Sequence, residues 1–164
     1  MAISSSQLKL YLTGGLGNTN PALSLGGATS TTLFVSYVLN NLFLDAYAQE
    51  AWDGSVKYRA LAFKNNSGLT AFGAYAFIYS ETTSGDTVID IAFDGGIQTI
   101  ADEDTAPSQP ALTFVHPLSG AGGLALGDVP AGGEARVWYR RTVTAGASAT
   151  SLDTGAVRFV VSSV

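Results

Sequence analysis

The chain holds a single histidine, His116, set between Val115 and Pro117. A Ser-His-Asp triad would rest on it alone, and no Gly-x-Ser-x-Gly elbow accompanies it. Two histidines are the minimum for a paired-His metal site, and the chain has no cysteine, so thiolate chemistry, disulfides and Cys-based zinc sites are excluded. The densest set of oxygen ligands is Asp102-Glu103-Asp104, which Asp90 and Asp94 could join around a calcium ion. The spacing is not that of an EF-hand loop, and the reading adopted is a solvated acidic loop. Gly14, Gly15 and Gly17 lack the Gly-Lys-Ser/Thr that a phosphate loop needs, and read as a flexible turn. Trp52, Trp138 and the tyrosines could stack on a sugar ring, although aromatics in strands serve more often as core or interface anchors. No catalytic, cofactor-binding or metal-binding residue is assigned, and no cofactor is expected.

Charge narrows the partners. Only 13% of the 164 residues are charged and the net charge is −5, against about 25% charged residues in an average soluble domain. Nucleic-acid binding needs clustered Lys and Arg, so none is expected. Arg136, Arg140 and Arg141 come nearest to a cluster. Strand alternation places Arg136, Trp138 and Arg140 on one face and Tyr139 and Arg141 on the other, as salt-bridged or snorkelling arginines beside aromatic rings. The longest apolar stretch, Leu33 to Leu44, is broken by Ser36, Asn40 and Asn41 and falls short of the ~20 residues of a membrane span. Met1 to Gln7 does not read as a secretory signal, so synthesis in a cytosol is expected and no membrane contact.

These residues must be positioned by strands. Short runs rich in β-branched and aromatic residues, bounded by Gly, Pro, Asn or Asp, predict strands at Gln7 to Leu12, Thr31 to Leu39, Val56 to Phe63, Phe72 to Tyr79, Thr87 to Phe93, Thr113 to Val115, Glu134 to Val143 and Ala156 to Val161. Val56 to Phe63 is apolar on both faces, as in a central strand of a two-layer packing. Leu42 to Trp52 fits one or two helical turns ending at Asp53-Gly54. Lys64 to Gly68 and Gly120 to Gly133 read as turns. The fold expected is a single-domain, all-β antiparallel sandwich, jelly-roll or immunoglobulin-like, with residues 1–32 as an N-terminal strand and Gly-rich arm and 33–164 as the sandwich. Thr13 to Thr32 is long for a loop inside a compact domain and reads as an extended interaction arm.

Leu10-Tyr11-Leu12-Thr13-Gly14-Gly15, Asn18-Thr19-Asn20-Pro21, Ser24-Leu25-Gly26-Gly27 and Gly127-Asp128-Val129-Pro130-Ala131-Gly132, leading to Val137-Trp138-Tyr139-Arg140-Arg141-Thr142-Val143, together with the turn Lys64 to Gly68, resemble small virion structural proteins of tailed bacteriophages. Among these they are most similar to capsid decoration, or cement, proteins. The resemblance implies a non-enzymatic β-sandwich that binds the major capsid protein on the outer capsid surface, self-associates as a trimer or dimer, and stabilises the shell. Expected contact residues are Gly14, Gly15, Asn18, Asn20, Pro21, Leu23 and Leu25 in the arm, with Asp102, Glu103 and Asp104 second. The competing readings are a tail, baseplate or fibre component of the same virion, a carbohydrate-binding or adhesion module using Trp52, Trp138 and exposed tyrosines, and a hydrolase resting on His116 and the carboxylates.

Overall fold

The punctuated apolar runs form eight strands among the described residues of a computed structural model, which are 2–38, 40–82, 85–149 and 153–162. They are β1 (Leu8–Thr13), β2 (Thr29–Leu33), β3 (Ser55–Asn65), β4 (Ala71–Glu81), β5 (Thr87–Asp94), β6 (Leu124–Val129), β7 (Glu134–Val143) and β8 (Gly155–Ser162); one short helix, α1 (Ala48–Asp53), precedes β3. A five-stranded sheet has the order β2-β1-β3-β7-β5 and a three-stranded sheet the order β6-β4-β8, with every pairing antiparallel. The chain is an all-β sandwich. No helix among the described residues is long and apolar enough to cross a membrane.

β3 is the central strand of its sheet, and both its faces are covered. Leu61 and Phe63 point into the main core with Leu12, Ile91, Val137 and Tyr139, while β8 sends Val157, Phe159 and Val161 down from the other sheet. The Phe63 and Phe159 rings stack with centroids 4.9 Å apart. On the opposite face Trp138 is fully buried with Tyr58, Ala60, Ala92 and Ile100, roofed by Leu25, Leu112 and Phe114. The register explains why an indole fits there: Ala60 of β3 and Ala92 of β5 lie directly opposite Trp138 on either side. Two methyl side chains leave the volume that one large ring fills. The five-stranded sheet is thus sandwiched between the second sheet and a layer of loop.

That layer includes the stretch read as an extended arm. Thr13 to Thr32 folds back on the body: Ser24 O accepts from Ala60 N, Leu25 O from Ile100 N, and Gln98 O from Gly27 N. Thr13 Oγ1 donates to Ala60 O and accepts from Gly26 N. Gly26 is a glycine of necessity, because at φ 85° a Cβ would lie 2.0 Å from Gln98 O and 2.7 Å from the Trp138 ring. The polar groups that made this stretch look unstructured instead satisfy the backbone beside β3, and β1 lies between β2 and β3.

Three segments differ from the sequence reading by more than a residue or two at a strand end. The strand expected over Thr31 to Leu39 pairs only over Thr29–Leu33; positive φ at Tyr37 (64°) and Asn40 (54°) turns the chain away, and Leu39 lies outside the described residues. Thr113 to Val115 contributes a single bridge, Ile91 to Val115. Gly120 to Gly133, read as a turn, contains β6. Gly127, at φ 79°, interrupts the pairing of β6 with β4 as a bulge, and that glycine is what hid the strand. The turn after β3 is built on Asn65, fully buried, whose amide donates to Leu69 O and Val129 O while its Oδ1 accepts from Ser67.

Candidate functional site

Towards the start of β3, the face that carries Leu61 and Phe63 carries cations instead. Lys57 and Arg59 of β3 and Arg141 of β7 are all buried, with Lys57 directly opposite Arg141. Ionised groups at such burial require partners. Two carboxylates supply them for Lys57 and Arg59: Glu50 of α1 lies 2.5 Å from Lys57 Nζ, and Glu103 reaches Lys57 Nζ at 2.7 Å with one oxygen and pairs with Arg59 through the other. Arg141 makes no ion pair with either, and its Nε and Nη2 are buried without a hydrogen-bond partner among the described residues. The Tyr58 N–H donates to the Glu103 carbonyl, which fixes that residue beside the strand.

The same cations brace the segment between β2 and β3. The Phe43 ring lies over both Arg59 and Arg141, with guanidinium-to-centroid distances of 5.7 and 5.2 Å. Arg141 donates to Leu44 O, and Tyr47 stands over Lys57. Anchored underneath, the segment turns its other side outward. Tyr37 is fully exposed and Trp52 76% exposed, and Leu33, Val35, Val38, Leu44 and Tyr47 are exposed with them. Its exposed charges, Asp45 and Asp53, are acidic. The segment thus presents a concentration of large apolar side chains to solvent. The sequence carried a signal for it: apolar residues on consecutive positions from Leu33 to Val35 and Leu42 to Leu44, without the alternation of a half-buried strand.

Burial alone would raise the pKa of Glu103, but hydrogen bonds from Lys57 and Arg59 and their charges outweigh it, leaving Glu103 below the ordinary glutamate range. Glu50 is lowered against the same opposing burial by Lys57 and the Tyr47 N–H. Burial pulls Lys57 down, yet its bonds to Glu103 and Glu50 leave it raised. Asp94 is also held low despite burial, by the N–H groups of Gly96 and Gln98 and the Trp138 indole. Carboxylates that are depressed in the folded state contribute stability that is complete above their unfolded pKa, about 3.9 for Asp and 4.3 for Glu, and is lost as pH falls through the lower folded values. The melting temperature is therefore expected to hold from pH 7 to about 5 and to fall steeply below about pH 4; a melting curve unchanged at pH 3 would contradict the ion-pair assignment.

The residues singled out in the sequence separate accordingly. In the arm, Asn18 donates to Thr13 O, Asn20 Oδ1 accepts from Ala22 N, and Pro21 opens a 3-10 turn over Pro21–Leu23. Gly14 takes a positive φ against Leu23 O, Gly15 N bonds Ala28 O, and Leu25 packs against the Trp138 cluster. Leu23 alone of the arm's two predicted leucines is exposed, with Leu16 near it in sequence. Asp102, Glu103 and Asp104 do not act together: Asp102 Oδ1 caps its own turn through Asp104 N and Thr105, Glu103 is the internal partner of Lys57 and Arg59, and Asp104 faces solvent. The solvated-loop reading is thus corrected at Glu103. Asp90 pairs with Arg140 at 2.7 Å, and Asp94 holds the 94–98 turn and the indole. Among the described residues no three His, Asp or Glu side chains converge as a metal site.

Trp138 is fully buried and cannot stack on a glycan, so the adhesion reading is left with Trp52 and the exposed Tyr37, Tyr47 and Tyr79. His116 Nδ1 donates to Ile89 O at 2.9 Å, and its Nε2 lies 2.8 Å from Glu81 Oε1. Both ring nitrogens are thereby turned to groups of the chain itself, the Ile89 carbonyl and the Glu81 carboxylate. An open cleft of about 380 Å³ lies between Phe93–Ile97 and Glu134–Arg136. Of its polar groups, the Arg136 Nη atoms are engaged by Gly27 O, Thr29 and Glu134 and Asp94 is held as described, while Arg136 Nε is buried without a hydrogen-bond partner among the described residues.

Fold and surface define an all-β sandwich with an ion-braced, outward-facing apolar loop. Comparisons with protein-family models, curated proteins and solved structures find no match to this chain.

Proposed function

We propose that this chain is a non-enzymatic structural protein of a tailed-bacteriophage virion, a decoration protein that binds the outer capsid lattice and stabilises the shell. The observation that carries the reading is the loop from Leu33 to Trp52, whose exposed apolar side chains are held outward by Phe43 and Leu44 over a buried ion cluster. A pre-formed loop loses little entropy on docking. Repetition over a lattice multiplies modest contacts into firm retention. Small uncharged side chains elsewhere in the chain and the resemblance of its turn motifs to those of decoration proteins support the same reading, and the partner it implies is the major capsid protein.

Mixing the purified chain with capsids that lack it, followed by sedimentation, tests this. The double variant Tyr37→Ser, Trp52→Ser removes two exposed rings and is expected to fold with an unchanged melting temperature while binding at least about tenfold more weakly. Unchanged capsid binding by that variant would overturn the loop assignment. Binding to tails rather than capsids would favour a tail component, and binding to a glycan array lost in Trp52→Ser would favour the adhesion module.

A further inference from the structure

The two sheets present four edges, and three are protected. β2 is covered by the preceding loop, where Thr31 N bonds Leu16 O. β5 is bridged by Val115 through two backbone bonds of 2.9 Å with Ile91. β6 is six residues long, is bulged at Gly127 and carries Asp128. β8 has none of these devices. It runs eight residues without Pro, Lys or an acidic side chain, and its extra residues fall on β4, at the two register shifts, and not on β8 itself. Among the described residues its backbone bonds run to β4 alone, and no residue of β8 is fully buried although Val157, Phe159 and Val161 belong to the core. A long, regular edge with a single charge, Arg158, is a template for strand addition.

We propose that the occupant is β8 of a second copy, paired antiparallel about a two-fold axis at Phe159, so that the two three-stranded sheets join as one of six strands. This inference is independent of the virion reading. The strand is self-complementary in that register. Phe159 meets its own counterpart, Val157 meets Val161 of the second copy on the core face, and the single charge, Arg158, meets Val160 rather than another arginine. Arg158 and Val160 lie on the outer face, where Arg158 rests on the Tyr79 ring, 3.6 Å from its centroid. A pair of identical edges also forms a closed, isologous contact that leaves no further edge to extend.

The register makes opposite predictions for opposite charges at position 160, tested by sedimentation velocity over a concentration series. Wild type is expected to dimerise. Val160→Lys sets lysine against Arg158 twice across the axis and is expected to raise the dimer dissociation constant at least about tenfold, whereas Val160→Glu creates two opposite-charge pairs and is expected to lower it. Melting of each variant at a concentration where it is monomeric separates a folding defect from lost association. A wild type that stays monomeric at 100-fold above micromolar concentrations, or a dimer that both variants shift in the same direction, would overturn the proposal.

Discussion

Trp138→Ala is expected to destabilise the protein by about 4 kcal/mol, the upper range for removing a fully buried aromatic side chain. The indole is 0% exposed, and its neighbours across the sheet, Ala60 and Ala92, are too small to close the space. Its Nε1 donates to Asp94 Oδ2 at 3.1 Å, so truncation also removes one of the donors that hold a 2% exposed carboxylate. In the roof over it Leu25 O accepts from Ile100 N, and Gly27 N donates to Gln98 O, so the loss spreads to the loop layer. With a total stability of about 5–15 kcal/mol for a domain, the variant should accumulate poorly and unfold at much lower urea. Trp138→Phe keeps most of the volume and should cost about half as much. A loss below about 1 kcal/mol for the alanine variant, measured from urea midpoints at constant m-value, would show that this face is not packed as described.

Glu103→Ala is expected to cost about 3 kcal/mol, because it leaves Arg59 without its carboxylate and Lys57 with Glu50 alone. Glu103 retains some solvent contact, which places the figure at the low end for a broken buried pair. The pH dependence distinguishes this mechanism from lost packing. Glu103 is held below its ordinary range in the folded state, so its stabilisation is full above about pH 4.3 and disappears as pH falls through the folded value. The stability gap between wild type and Glu103→Gln should therefore be widest near neutral pH and narrow below about pH 4. A gap that stays constant from pH 7 to 3 would contradict the assignment. The variant should also loosen the Leu33 to Trp52 loop, since Lys57 and Arg59 brace it from below.

Legibility in the sequence followed how local each signal is. The alternation of β7 does place Arg136, Trp138 and Arg140 on one face and Tyr139 and Arg141 on the other, because period two needs only neighbouring residues to read. The two apolar faces of Val56 to Phe63 marked the central strand for the same reason. β6 escaped because Gly127 serves a bulge inside a strand, and a glycine in isolation signals a turn equally well. Thr13 to Thr32 looked like a free arm because its polar residues find their partners on β3 and near Gln98, contacts that join residues tens of positions apart. Glu103 could not be told from Asp102 and Asp104, since the three differ only in what the fold brings to them. Val115 supplied a bridge but not a strand, for want of pairing on either side. The apolar loop was visible as the longest hydrophobic stretch, while its outward orientation depends on Phe43 meeting Arg59 and Arg141 across the sheet end.

The most direct measurement is cryo-electron microscopy of the particle that carries this chain, with the chain traced into density. The account predicts density on the outer capsid lattice, with Tyr37 and Trp52 of the Leu33 to Trp52 loop buried against the major capsid protein. Density confined to the tail, or a capsid-bound chain whose loop faces solvent, would contradict it.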